Sequence, residues 1–186
     1  ASSYSVFQNN GKMSSFSTIE KITDSRGKVI YEYEKSNRTV FSKETTYIIT
    51  SMLEETAKTG TAKVLSNLPI TLYAKTGTNG NDKQNFDSFS IAFDKNYIAL
   101  SYLTSTSETP LPANIGGGTI PTRDLASIFS IIETDDSPIQ KPECVEKYRI
   151  DGYVAKTDGK ILLASENTPK KYVIEEYFDV SKAPLE

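Results

Sequence analysis

Apolar residues along this chain follow two periods, and the change from one to the other marks out its elements. Phe16, Thr18, Ile19 and Ile22, then Val29, Ile30, Tyr31 and Tyr33, flank Asp24-Ser25-Arg26-Gly27, a polar cluster ending in glycine that suits a tight reversal, so a β-hairpin is expected there. After Arg38-Thr39-Val40-Phe41 the period lengthens. Ile48, Ile49, Met52, Leu53, Thr56 and Ala57 recur in pairs four apart, which places them on one stripe of a helix. Ser42 stands where an N-cap is needed, Glu44 and Lys58 complement the two ends of the helix dipole, and Gly60 falls where a left-handed residue would stop the helix.

Three β-like runs follow: residues 70–74 leading into Lys75-Thr76-Gly77-Thr78, then Phe89-Ser90-Ile91-Ala92-Phe93, then residues 97–103. A polar loop over 79–85 and the short Asp94-Lys95-Asn96 connector imply an antiparallel meander. Beyond a Pro/Gly-rich loop at 109–118, Leu125, Ala126, Ile128, Phe129, Ile131 and Ile132 form a broad apolar face behind Pro121, a good early helical residue. From about Thr134 the character shifts, with Asp135, Asp136, Ser137, Pro138 and Pro142 reading as a linker. Runs at 145–150, Tyr153-Val154, 161–164 and 172–178 then read as short β segments separated by polar turns such as Thr157-Asp158-Gly159-Lys160. Two units are expected, 1–136 and a small β-rich tail at 137–186, in a mixed α/β (α+β) fold whose antiparallel sheet is flanked by helices.

Composition narrows the chemistry. The 186 residues carry 21 Lys+Arg against 24 Asp+Glu, a net charge of −3 that gives no electrostatic case for a nucleic-acid partner. There is no histidine, which removes Ser-His-Asp triads, imidazole bases and most zinc sites, so no metal and no cofactor is expected. Catalysis must run on Lys, Ser, Thr, Tyr, Asp or Glu. The single cysteine, Cys144, has no internal disulfide partner and reads as an inert thiol. No stretch approaches the ~20 apolar residues of a membrane span.

Lys-Thr-Gly-Thr occurs twice, at 58–61 and 75–78. The first lies at a helix end, where lysine and glycine are explained by the dipole and the stop signal. The second continues a run of β-forming residues, where glycine weakens the strand and packs nothing, so close approach of another backbone or a ligand is its expected reason. Other features favour plainer roles: the eleven tyrosines as core and sheet-face packing, Gly116-Gly117-Gly118 as a hinge or tight approach, and Asn37-Arg38-Thr39 as a chance match to a glycosylation pattern.

Lys75-Thr76-Gly77-Thr78 on a strand, after a capped helix and before an antiparallel meander and a further helix, resembles the transpeptidase domain of penicillin-binding proteins, whose motifs are S-x-x-K, S-x-N and K-T-G. Residues 4–11, 16–31, Asp87-Ser88-Phe89 and the tail around Glu175-Glu176-Tyr177-Phe178 look like consecutive portions of the class A, bifunctional type. The resemblance implies acyl transfer. A serine attacks the penultimate D-alanyl carbonyl of a peptidoglycan stem peptide ending in D-Ala-D-Ala, D-alanine leaves, and the acyl group passes to an amine of a second stem. β-Lactam antibiotics would stall as acyl-enzymes. By the same resemblance, Lys75 supplies positive potential toward the substrate carboxylate, and Thr76 donates its hydroxyl to that carboxylate. Gly77 leaves room for substrate along the strand edge. The Thr78 N–H forms half of the oxyanion hole, and its side chain is a further carboxylate contact. Lysines would have to manage the protons.

The other two motifs do not fit. Ser25 and Lys28 have the S-x-x-K spacing but enclose turn material, and Ser165-Glu166-Asn167 spells S-x-N in the tail, after Lys75 rather than before it. The chain is therefore expected to be the last part of such a domain. The missing N-terminal part of the same domain would supply the nucleophile, S-x-N and two more sheet strands, leaving an unpaired edge beside the third strand here. The isolated chain is expected to be inactive, and the whole protein to work at the extracellular face of the bacterial cytoplasmic membrane. The rival expectation is a non-catalytic extracellular cell-wall binding or scaffold module of the same shape.

Overall fold

A computed structural model describes residues 1–81, 83–105, 109–133 and 136–184. Its centre is an antiparallel sheet of β5 (Tyr73–Gly80), β6 (Asn85–Phe93) and β7 (Ile98–Thr104), in that spatial order, as the meander predicts. Strand β5 begins at Tyr73, so residues 70–72 of the expected run stand outside it. Three two-stranded pairs surround this sheet. Strands β1 (Lys12–Ser14) and β4 (Asn37–Thr39) form one, the expected hairpin β2 (Lys21–Thr23) and β3 (Val29–Glu32) another, and β8 (Val145–Asp151) with β9 (Val173–Asp179) the third. In the hairpin turn Gly27 adopts a φ of 81°, the left-handed value the polar cluster implied, while Asp24 Oδ1 accepts from the N–H groups of Arg26 and Lys28.

Four α-helices are described: α1 (Ser5–Gln8), α2 (Lys43–Lys58), α3 (Ile120–Phe129) and α4 (Gly152–Asp158). Ser42 caps α2 through its hydroxyl, which accepts from Thr45 N–H at 3.2 Å. The buried stripe of α2 keeps Leu53 and Ala57 of the expected set but continues through Thr46 and Thr50 in place of Ile48, Ile49, Met52 and Thr56, and Met52 is 57% exposed. Threonine is tolerated on that stripe because Thr46 and Thr50 donate to the carbonyls of Ser42 and Thr46, satisfying their hydroxyls within the helix. Gly60 is not left-handed. Its reason is steric: a Cβ there would stand 2.9 Å from Thr56 Cα.

Side chains of the central sheet alternate between two apolar clusters. Ala74 and Ala92 join Ala57, Leu65, Leu125 and Phe129 on one side, while Tyr73 and Phe93 join Leu53 and Ile139 on the other. Pro121, Thr122, Leu125 and Phe129 are the buried face of α3, whereas Ile131 and Ile132 lie past its end and Ile131 is 83% exposed. Of the tyrosines, Tyr73 is buried and the partly buried Tyr4 and Tyr47 pack against the same cluster, so core packing accounts for these three.

The tail keeps the expected strands at 145–150 and 172–178 as the β8–β9 pair but departs from β character between them. Tyr153-Val154 are helical, because Asp151 Oδ1 accepts from both of their N–H groups and Gly159, at φ 67°, closes α4 in the left-handed form. The 161–164 run makes only an isolated bridge between Leu163 and Ile150. Thr134 and Asp135 of the expected linker lie outside the described residues, as does Asp82 of the 79–85 loop. Beyond them the chain returns to the core, where Ile139 N–H donates to the Tyr73 hydroxyl at 2.9 Å and Tyr177 meets Tyr47 edge to face at 5.2 Å.

Candidate functional site

Lys75, Thr76, Gly77 and Thr78 sit in the middle of β5, in register with Ile91, Ser90, Phe89 and Ser88 of β6. Strand β5 is at the end of its sheet, so one side of its backbone is open among the described residues. Two observations show which groups point there. A Cβ on Gly117 would lie 2.5 Å from Phe89 O, 2.6 Å from Gly77 O and 2.7 Å from Gly77 N, so these three atoms are gathered on the β6 side. Lys75 Nζ donates to Thr76 O at 2.8 Å, which sets the ammonium beside that carbonyl. Because successive residues of a strand send their N–H and C=O to opposite sides, Thr76 and Thr78 offer theirs to the open margin. The margin thus carries the Thr78 N–H donor and the exposed Lys75 ammonium, which has no ion pair among the described residues.

The glycine has a reason other than the expected one. A side chain at position 77 would overlap the ring of Phe89, its cross-strand partner. An aromatic side chain of the same sheet fills the vacancy on that face, and the Gly117 backbone closes on the strand from the loop. Gly117 N–H donates to Thr78 Oγ1 at 3.0 Å, leaving the Thr78 proton available for a ligand. Thr122 Oγ1 pins the loop by donating to Gly117 O at 2.6 Å, and stands 3.0 Å from Ser90 Oγ. The glycine triplet is therefore a tight approach.

Thr61, from the first Lys-Thr-Gly-Thr, lies against the second copy: its Oγ1 is 2.6 Å from Thr76 Oγ1. One proton serves that contact, so the pair retains one for a ligand. The close approach is made possible at Gly118, where a Cβ would collide with Thr61 O. Explaining the first copy as a helix end missed this, and the repeated tetrapeptide was the signal that could have pointed to it.

At the far end of the site Asp87 ties all three strands together. It accepts from Asn79 Nδ2 at 2.7 Å, from the Tyr102 hydroxyl at 2.7 Å and from Thr104 Oγ1 at 2.6 Å. The Thr104 hydroxyl, then Asn79 and Tyr102, hold its carboxyl below the ordinary 3.8. The remaining motif-like triplets are elsewhere. Ser25 and Lys28 belong to the β2–β3 turn, and Ser165 and Asn167 to a turn in which Ser165 Oγ accepts from Asn167 N–H.

Residues 1–98 match the family described as Penicillin binding protein transpeptidase domain. Penicillin-binding protein 1A of Clostridium perfringens (strain 13 / Type A) is 36% identical over 86 residues, 45% of this chain and 12% of that protein. Penicillin-binding protein 1A/1B of Bacillus subtilis (strain 168) is 25% identical over an alignment of 197 residues, covering 99% of this chain and 21% of its own length. The chain thus spans only 10% to 21% of the length of the curated relatives it matches. In fold, it superposes on Penicillin-Binding Protein 1A from Haemophilus influenzae with a TM-score of 0.75 at 18% identity, covering 98% of this chain and 32% of that one. The PonA1 protein from Mycobacterium tuberculosis in complex with penicillin V gives 0.58 at 18% identity, over 76% of this chain and 39% of that one.

Proposed function

The chain belongs to the penicillin-binding protein transpeptidase domain family, and from that premise we propose that it forms the Lys-Thr-Gly side of a D,D-transpeptidase site, with the acyl-accepting serine and the S-x-N motif supplied by a part of the domain outside these 186 residues. The substrate is a peptidoglycan stem peptide ending in D-Ala-D-Ala, and β-lactams acylate the same serine. What supports this most directly is the open margin of β5, where the Thr78 N–H stands unclaimed by the ladder beside the Lys75 ammonium. Substrate lies extended along that margin. Its terminal carboxylate takes the free protons of Thr78 and of the Thr61–Thr76 pair, with Lys75 setting the potential. When the serine oxygen adds to the penultimate carbonyl, negative charge grows on the carbonyl oxygen and the Thr78 N–H receives it. The C–N bond then breaks, D-alanine leaves, and an amine of a second stem takes the acyl group.

A preorganised oxyanion donor contributes about 3 kcal/mol to barrier lowering, whereas no acyl-serine forms without the serine. The 186-residue chain alone is therefore inactive and leaves no covalent benzylpenicillin adduct in an intact-mass spectrum. We assign 1–136 to the transpeptidase portion and 137–186 to a small tail unit. The complete protein works at the extracellular face of the cytoplasmic membrane through an anchor outside this chain; among the described residues no helix is long and apolar enough to cross a membrane.

The test is Lys75→Ala in the full-length protein. Benzylpenicillin acylation should slow by about 10²-fold or more, the scale for losing one electrostatic stabiliser in a water-poor site. Acylation at the unsubstituted rate would refute the assignment and favour a non-catalytic scaffold.

A further inference from the structure

Three hydroxyls behind the strand site are fully buried: those of Ser88 and Ser90 in β6 and of Thr122 in the first turn of α3. A buried hydroxyl costs more than an apolar group of the same shape unless it is hydrogen-bonded, so each needs a reason. Thr122 spends its proton on Gly117 O at 2.6 Å and stands 3.0 Å from Ser90 Oγ. Ser88 Oγ has no hydrogen-bond partner among the described residues.

Ser88 lies directly across the ladder from Thr78. Opposed residues of an antiparallel pair present their side chains on the same face with Cβ atoms about 4.5–5.5 Å apart, and a Thr–Ser hydrogen bond is one way such pairs are stabilised. This pair is not closed. Thr78 Oγ1 instead accepts from Gly117 N–H at 3.0 Å, and Ser88 is left unpartnered. Gly117 is held at both ends, its N–H on Thr78 and its carbonyl under Thr122, on a loop seated too close to Phe89 O and the Gly77 backbone to admit a side chain. A hydroxyl has one proton and a rotor that turns it to an acceptor. Fixed by Gly117, the Thr78 hydroxyl keeps its proton off Ser88; released, it would turn to that buried oxygen, whose unmade bond is costly.

We propose that Thr122 is a positioning residue: acting through Gly117, it holds the Thr78 hydroxyl away from Ser88 and directed at the carboxylate of an incoming ligand. Thr122 itself touches neither the ligand nor the reacting atoms. The assignment rests on the transpeptidase reading above, in which Thr78 meets the terminal carboxylate, and adds a competition inside the protein. Ser88 and the ligand contend for one proton, and the clamp on Gly117 decides between them. It also gives the buried hydroxyl of Thr122, on a helix face otherwise packed with Pro121, Leu125 and Phe129, a reason to be there.

The test uses the full-length protein and a synthetic peptide ending in D-Ala-D-Ala. Thr122→Val should raise KM about tenfold, the scale of one lost hydrogen bond to a charged group, and leave kcat within about twofold, because the Thr78 N–H that receives the developing charge is main chain. Thr122→Ser should restore KM. Ser88→Ala, with no effect of its own, should also restore it when combined with Thr122→Val, since the rival acceptor is then gone. A general loosening of the fold is not repaired by deleting a second hydroxyl, so that rescue decides the matter. An unchanged KM in Thr122→Val, a loss carried by kcat, or a KM rise that Ser88→Ala leaves standing overturns the proposal. If Thr122→Val does not fold, Gly117→Ala breaks the same clamp at its other end and must show the same rise and the same rescue. Should the unsubstituted protein neither turn over the peptide nor take a benzylpenicillin adduct, the transpeptidase reading fails separately. The clamp is then judged by calorimetry with the peptide and its C-terminal amide: the free acid should bind about tenfold tighter, and a preference that is missing, or that Thr122→Val leaves intact, overturns it.

Discussion

Gly117→Ala tests how the loop before α3 is seated on the Lys75-Thr76-Gly77-Thr78 strand. The new Cβ would stand 2.5, 2.6 and 2.7 Å from Phe89 O, Gly77 O and Gly77 N. All three are backbone atoms of a hydrogen-bonded sheet, so no side chain can swing aside. Ordinary contact begins near 3.4 Å, so the loop must retreat by about 3.4 − 2.5 = 0.9 Å. The Gly117 N–H bond to Thr78 Oγ1, now 3.0 Å long, does not survive a retreat of that size. Overpacking costs about 1–3 kcal/mol and the lost hydrogen bond about 1 more, while reduced freedom of the unfolded chain returns about 0.4–1. The net destabilisation is about 1.5–3 kcal/mol, a fall in Tm of roughly 4–10 °C for a chain of this length. Gly116→Ala is the matched control: its Cβ meets only Thr78 Oγ1, at 3.2 Å, and should cost less than about 1 kcal/mol. Thermal unfolding followed by circular dichroism reads both. A Gly117→Ala protein that melts with the unsubstituted one, or above Gly116→Ala, refutes the packing described here.

Two further perturbations probe the same framework. Asp87 is held below its ordinary 3.8 by its hydrogen bonds, so the folded state favours the ionised form; its contribution is complete above that value and is lost as pH falls through the depressed one. Asp87→Asn cannot titrate, so the Tm gap between the two proteins should narrow from about pH 5 to about pH 2, and a gap independent of pH would contradict the network. Tyr73→Phe keeps the ring stacked on Phe93 but strands the buried Ile139 N–H, which should cost about 1–3 kcal/mol in urea unfolding; no loss would mean the tail is not held there.

What local order could specify was legible along the chain. Ser42, Glu44 and Lys58 mark the ends of α2 because caps and dipoles act within one turn, and period two with short polar connectors marks β5, β6 and β7 because strand alternation is a property of neighbours. Even the tail helix carried its signals in Asp151 and Gly159, which the short apolar pair Tyr153-Val154 outweighed. Other matters depended on residues far apart in sequence. The stripe that α2 buries was decided by what packs on it, and the reason for Gly77 is the ring of Phe89, placed there by a register that the hairpin sets. Thr61 reaches Thr76, and Lys58, Lys63 and Arg123 line one cavity, only because folding brings the end of α2, the turn after it and the start of α3 together. Composition counted those charges as part of an acidic chain. Only folding could gather them, since a cavity is a relation among surfaces and no single segment contains it.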